Sequence, residues 1–387
     1  MSEIAQTPTD GLKKRVASID ILRGLVMLLM LVDHVRERYF YHLNVSDPVD
    51  VDSTSPELFF TRTMAHFCAP VFVFLTGLSA WLYSHPSNKA PRSATPFLFK
   101  RGMFIIFVEI AVINWMWMGT YDTLWLQVMW AIGVSMVSLS VLCKLPYKLI
   151  LALGLLIVCG HNLLSPITFA PGEFGYNLWA ILHDRGFIFE SESFKIKASY
   201  PVLPWIGVIL LGYSMGPLYS QAVEGSKRQS TLVKLGVAMW VVLLILRGFN
   251  IYGETLPWES QQDFTHTLMS FLAFTKYPPS LDFVLFTLAT AFLVLAALEN
   301  VNNRLTKSIE TFGSAPMFYY VVHLFVLLVS YRIVFNVFGA NHGEYFAFDY
   351  VWQIWFISVL LAGALYWPTK VFSKFKHNSS NPIVKYL

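Results

Sequence analysis

Residues Arg15 to Phe40 read RVASIDILRGLVMLLMLVDHVRERYF, a run apolar and long enough to cross a bilayer yet broken by ionisable groups. A charge inside such a segment costs roughly 3 kcal/mol on insertion scales and more in simulations. Eleven residues take the chain from Arg23 to His34. At about 100° per residue, that many steps return to nearly the same face of a helix. Asp20, Arg23, Met27, Met30 and His34 therefore form one stripe. The bland reading is that Arg23 snorkels to one interface and His34 caps the other. An acid, a base and an imidazole on one face point instead into protein or a wet cavity, which makes the stripe the candidate functional site.

The composition agrees with a membrane setting. Of 387 residues, 55 % are hydrophobic and 13 % charged, where soluble domains carry about 25 % charged residues. The net charge of +4 is not gathered into a basic patch, so a nucleic-acid partner is not expected. Cys68, Cys143 and Cys159 lie in apolar stretches without metal-ligand spacing and read as core fillers. No HxxxH or HExxH spacing occurs among the candidate histidines, so no metal is expected. The run after Lys13, Lys14 and Arg15 lacks a small-residue cleavage site and is expected to stay as the first helix.

The hydropathy marks ten candidate spans, at roughly 17–36, 65–84, 97–117, 124–142, 146–161, 201–220, 232–250, 281–298, 314–337 and 350–371. Alternate connections hold most of the Lys and Arg, including Lys13, Lys14, Lys100, Arg101, Lys144, Lys148, Lys227, Arg228, Lys370 and Lys374. The positive-inside rule makes that side cytoplasmic. The predicted fold is an all-α integral membrane protein, about ten transmembrane helices around a central cavity, with both termini cytoplasmic. Residues 1–16 form a short cytoplasmic tail, 17–371 the transmembrane domain and 372–387 a basic cytoplasmic tail. The opposite side carries the longer, acidic and aromatic loops, near 37–64, 162–200, 251–280 and 338–349. A large polar acceptor would be handled there.

The stretch SIDILRGLVMLLMLVDH resembles the opening helix of the transmembrane acyltransferase superfamily. More closely, the chain resembles bacterial members of the heparan-α-glucosaminide N-acetyltransferase catalytic-domain family. The matching stretches are TRTMAHFCAPVFVFLTGLSAWL (61–82), FLFKRGMFIIFVE (97–109), YPVLPWIGVILLGYSMG (200–216), FTKYPPSLDFVLFTLAT (274–290) and GSAPMFYYVVHLFVLLV (313–329). The resemblance implies transfer of an acyl group, foremost acetyl, from cytosolic acyl-CoA to a glycan or other acceptor on the periplasmic side of a bacterial inner membrane. A homodimer is compatible with it. In the related acyltransferase-3 branch a first-helix Arg and His are essential, and Arg23 and His34 match their spacing. In the lysosomal branch an Asn ends the first helix and a His comes later, in the loop. His34 stands at that Asn position here, and His42 is the nearest later His, at a different spacing.

Acyl transfer to a hydroxyl or amine needs a base near neutral pH, and imidazole is the natural group. His34 is accordingly the candidate general base or acyl carrier, with Asp33 to orient it and His66 or His42 assisting on the acceptor side. Arg23 lies about 16 Å from His34 along the helix. With Lys100 and Arg101 it is the candidate donor-side contact to acetyl-CoA, a placement the resemblance also implies for the basic pair. The bland reading of Lys100 and Arg101 is positive-inside anchoring. Glu109 is an intramembrane acid expected first to pair with a cation of helix one. His323 reads as a hydrogen-bonded packing residue, and Lys276, in the string KYPPS, as a neighbour of the acceptor region. A transporter or flippase using the charged stripe as a substrate or proton path is the rival reading; it would not bind desulfo-CoA.

Overall fold

A computed structural model describes residues 17–87, 89–381, 384 and 386. The expected tail at 1–16 lies outside the described residues. The stripe-bearing run forms α1 (Ala17–Tyr39), with Asp20 in its first turn and Arg36 and Arg38 in its last. Both charges complement the helix dipole. Helix α2 (Pro56–Met64) is capped by the Ser55 hydroxyl, which accepts from Leu58 N. It continues through one tight turn into α3 (Cys68–Ser84).

Next come α4 (Thr95–Val108) and α5 (Asn114–Met118), joined by a π-turn over Glu109–Ile113. Strand β1 (Thr123–Leu126) precedes α6 (Val128–Leu142) and α7 (Tyr147–Gly160). A short helix α8 (Tyr176–Leu182) leads into β2 (Gly186–Glu190) and β3 (Lys195–Ala198). The chain ends with α9 (Leu203–Ser214), α10 (Gly225–Gly248), α11 (Phe264–Leu272), α12 (Leu281–Leu298), α13 (Arg304–Ser314), α14 (Pro316–Phe338) and α15 (Val351–Asn378). The last helix runs into the expected C-terminal tail, as far as Asn378.

A helix falls in each of the ten predicted ranges. Six are long and apolar enough to cross a membrane: Pro56–Ser84, Tyr147–Leu164, Gly225–Gly248, Leu281–Leu298, Pro316–Phe338 and Val351–Asn378. Helix α1 is long enough, but Asp20, Arg23 and Asp33 lower its apolarity. Large apolar side chains stay exposed along α10, α14 and α15, among them Val237, Val241, Leu244, Phe325, Ile333, Phe356 and Val359. Such a surface suits lipid rather than water.

Close helix contacts are set by glycine. Gly24 of α1 meets the Ile309 carbonyl of α13, and Gly313 of α13 meets the Asp20 carbonyl in return. Gly77 of α3 and Gly212 of α9 pack against each other's helix backbones in the same way. Missing side chains let the backbones approach.

The fold is not all helical. A small sheet of order β1-β3-β2, with β1 parallel and β2 antiparallel to β3, is added to a mostly helical fold that agrees with the all-α expectation. By hydropathy alone, residues 124–142 run together as one span and 162–200 read as irregular loop. The four-residue strand at Thr123–Leu126 is too short for its period to stand out beside the apolar helix behind it. Its partner is more than sixty residues away, so pairing is a tertiary outcome.

A candidate active site at the end of helix α1

A cavity of about 660 Å³ opens at the Tyr39 end of α1. Its walls come from α1, the loop after it, the α2–α3 helix, α5, the sheet, the turn before α12, and α14. His34 lines it and is otherwise buried.

Two histidines meet there. His34 Nδ1 and His323 Nε2 are 2.7 Å apart, and the two rings are nearly parallel. His323 Nδ1 lies 2.7 Å from the Tyr319 carbonyl, one helical turn back on α14. A carbonyl only accepts, so Nδ1 of His323 carries a proton and Nε2 of a neutral ring is a lone pair. His34 Nδ1–H must then donate to it. The hydrogen-bond chain therefore fixes the neutral tautomer of His34 with Nε2 unprotonated, the form a general base requires.

Trp117 and Tyr320 stand edge-on to the His34 ring, at centroid distances of 5.0 and 5.7 Å. Trp117 is held by Arg38, whose guanidinium donates to the carbonyls of Met116 and Trp117 and lies over the indole. The π-turn places this end of α5. Glu109 O accepts from Asn114 Nδ2, and Asn114 also pairs through both amide atoms with Trp125 of β1. A π-turn inserts one residue into the helix and rotates the next helical segment by about 100°. Asn114 thereby bridges to the sheet, and Trp125 joins the cavity wall.

The sheet delivers further residues. Gly186, Ala198 and Leu126 sit side by side at one edge. The residues just beyond them, Arg185, Ser199, Tyr200 and Gln127, all line the cavity. Opposite lies the turn at 275–280. Asp47 accepts from the backbone N–H of Lys276 and Tyr277, and Glu254 accepts from Thr275 N–H and the Ser280 hydroxyl. Burial pushes the Asp47 carboxyl above its ordinary value, against the opposing pull of Arg62, Lys276 and Arg185. The Tyr277 hydroxyl meets that of Tyr200 at 3.0 Å, and burial raises the Tyr200 phenol further.

The other predicted site residues are dispersed. Asp33 does not orient His34. It accepts from Arg36 Nε at 2.9 Å and from Arg62 of α2 at 3.1 Å. Helix α1 runs on to Tyr39, so neighbouring residues diverge by about 100°. His66 is buried against Phe283 and does not line the cavity. His42 stacks on His342 in the outer loops, also off the cavity wall, and burial and His342 depress its imidazole. Glu109 pairs with no helix-one cation among the described residues; its carboxylate accepts from Gln127 N–H.

Arg23 lies at the opposite end of α1. It donates to Asp20 at 2.6 Å, to the Gly313 carbonyl and to Ser79. Lys100 is exposed on α4, and Arg101 is half-buried beside Phe97. Among the described residues no cluster of three or more His, Cys, Asp or Glu could hold a metal. By sequence reasoning His323 is a packing residue. The visible signal is a second deep histidine, but only the helix crossing shows that it faces His34.

Six helices apolar enough to cross a membrane and a histidine-lined cavity at one end of α1 define a helical membrane protein with a pocket. A family model described as heparan-alpha-glucosaminide N-acetyltransferase, catalytic, matches residues 15–252, more than half of the chain. The chain belongs to that family, and membership implies acetyltransferase activity. The matched region holds His34, Asp33, Arg62 and Trp117, while Lys276 and His323 lie beyond it. No curated protein matches the chain.

Proposed function

We propose that this protein transfers an acetyl group from cytosolic acetyl-CoA to a hydroxyl or amine of a glycan or similar acceptor on the periplasmic side of the inner membrane. The observation that carries the reading is the His34–His323 pair, whose hydrogen-bond chain leaves a bare imidazole nitrogen at the cavity. His34 Nε2 removes the acceptor's proton as the acceptor attacks the thioester carbonyl. The C–S bond breaks, CoA leaves as thiolate, and the proton passes to its sulfur. Arg38 brings cationic charge to the wall where negative charge builds on the carbonyl oxygen. A covalent acyl-histidine would form on the same nitrogen.

In this reading all ten helices cross the bilayer and both termini are cytoplasmic, as the Lys and Arg distribution requires. The cavity then faces the periplasm. Arg23, Lys100 and Arg101 approach from the other side, suited to the phosphates of the donor. The thioester, carried on a long flexible arm, reaches His34 between the helices.

Calorimetry with acetyl-CoA on detergent-purified protein tests this. Wild type and His34→Ala are expected to bind, whereas Arg23→Ala and Lys100→Ala weaken. Folded wild-type protein without affinity for any acyl-CoA would sink the acetyltransferase reading and turn attention to transport.

A further inference from the structure

Arg36, Arg38, Arg62, Arg185 and Lys276 line the cavity, and the arginines among them are already engaged. Arg36 and Arg62 are held by Asp33. Arg38 donates to the carbonyls of Met116 and Trp117. Arg185 lies across the Tyr277 ring, 3.9 Å from Asp47, with 40 % of its side chain exposed. Lys276 differs from all of them. It is 5 % exposed, yet among the described residues its ammonium makes no hydrogen bond or ion pair. The ring of its neighbour Tyr277 lies 5.2 Å away. Lysines are almost never buried without a partner.

The backbone beneath this lysine is clamped. Asp47 accepts from the N–H groups of Lys276 and Tyr277, and Glu254 accepts from Thr275 N–H and the Ser280 hydroxyl at the two ends of the turn. The acids are thus spent on the main chain and leave the ammonium free. A donor held on a fixed turn, with its hydrogens unspent, meets a new negative charge without breaking an older bond. His34 stands in the same wall, within electrostatic reach of Lys276.

We propose that Lys276 is a catalytic residue, the donor that stabilises the oxyanion formed when an acceptor attacks the thioester of acetyl-CoA. The proposal rests on the acetyltransferase reading. As the acceptor's oxygen or nitrogen bonds to the carbonyl carbon, the C=O π pair moves onto oxygen and the acceptor's proton passes to His34 Nε2. Lys276 Nζ donates a hydrogen bond to that oxygen. The C=O then re-forms, the C–S bond breaks, and CoA leaves with the proton on its sulfur. Lys276 keeps its own protons throughout. Arg38 adds charge to the wall with its hydrogens turned toward backbone carbonyls, whereas Lys276 supplies the hydrogen bond itself.

The probe is the ketone analogue of acetyl-CoA, in which a methylene replaces the thioester sulfur and the carbonyl carries an isotopic label. Isotope-edited infrared spectra of full-length protein in detergent read how strongly that carbonyl is polarised. Bound to wild type, its band should move to lower frequency than in buffer. Lys276→Met should lose the shift and Lys276→Arg should keep most of it. With acetyl-CoA itself, Lys276→Met should lower kcat by about 10²- to 10³-fold with little change in KM, the cost of removing one oxyanion donor. Thermal melting reports folding, and Lys276→Leu takes the place of a methionine variant that does not fold. A folded variant that binds the analogue and keeps the full shift overturns the proposal. A shift that survives there and disappears in Arg38→Gln gives the oxyanion to Arg38 and likewise overturns it. Wild type that binds the analogue without any shift overturns the proposal and leaves the acetyltransferase reading standing. Folded wild type that does not bind the analogue removes that reading, and the role of Lys276 with it.

Discussion

His34 on α1 and His323 on α14 share one hydrogen bond of 2.7 Å, although 289 residues separate them in the chain. His323 is in turn anchored to the Tyr319 carbonyl. The two rings therefore differ in role: His34 borders the cavity and His323 sets its tautomer. His34→Ala is expected to lower turnover by about 10²- to 10⁴-fold, the range for removing a general base. His323→Ala should cost less, about ten- to a hundred-fold, by freeing the ring to tautomerise and rotate. Asparagine at position 323 tests the positioning role, since its amide oxygen could accept from His34. Steady-state rates with acetyl-CoA check the order; equal loss in both alanine variants would argue for direct participation of His323.

Asp33 neutralises two buried arginines at once. Asp33→Ala leaves buried Arg62 without its ion pair and Arg36 with only the half-exposed Glu37. The expected destabilisation is about 3 to 5 kcal/mol, as for breaking a buried pair from one side. Asp33→Asn should lose less and retain more activity than His34→Ala, because Asp33 does not touch the imidazole. Denaturant unfolding in detergent, paired with rates on the folded fraction, separates the two effects.

Glu254 gives a pH signature outside the helices. Burial raises its carboxyl, partly offset by hydrogen bonds from Thr275 and Ser280 and by Arg247. A raised folded pKa means the native state holds the proton more tightly than the unfolded chain. Stability is then full below the ordinary value of 4.5 and falls as pH rises through the raised one. Glu254→Gln keeps an oxygen to accept from Thr275 and Ser280 without ionising. Melting temperatures from about pH 4.5 to 8 should show the variant gaining on wild type as pH rises. A gap that moves the other way, with wild type gaining on the variant, would contradict this sign.

Two glycines should respond in opposite directions. A Cβ at Gly313 would press on the Asp20 carbonyl, which is backbone and cannot swing aside. Gly313→Ala is expected to destabilise by about 1 to 3 kcal/mol or more, as overpacking does. Nothing lies within 4 Å of a Cβ at Gly363, in the middle of α15. Gly363→Ala should therefore stabilise by up to about 1 kcal/mol through helix propensity. Parallel melts of the two variants check both signs.

Much of this architecture is legible in one dimension. A membrane helix announces itself by a long apolar run, because every backbone polar group is satisfied within the segment. Helices accordingly fall where the runs fall, and the Arg23–His34 periodicity singles out α1 before any contact is known. The sheet is hidden, since strands of four or five residues are too short for their period to stand out and β1 finds its partner more than sixty residues away. Asp33 misleads for a related reason. Adjacency in sequence suggests contact with His34, whereas a continuing helix turns neighbours apart and Arg62 arrives from α2.

The sequence alone determined a helical membrane protein, its family, and His34 as the residue to watch, because hydropathy, period and motif are local properties. Tertiary structure alone decided that His323 holds His34, that Arg36 and Arg62 claim Asp33, and that the buried Lys276 faces the cavity. Those outcomes depend on which helix faces and loops converge at the Tyr39 end of α1. Close packing at Gly24 and Gly313 fixes how α1 sits, and no spacing within a single segment encodes that meeting.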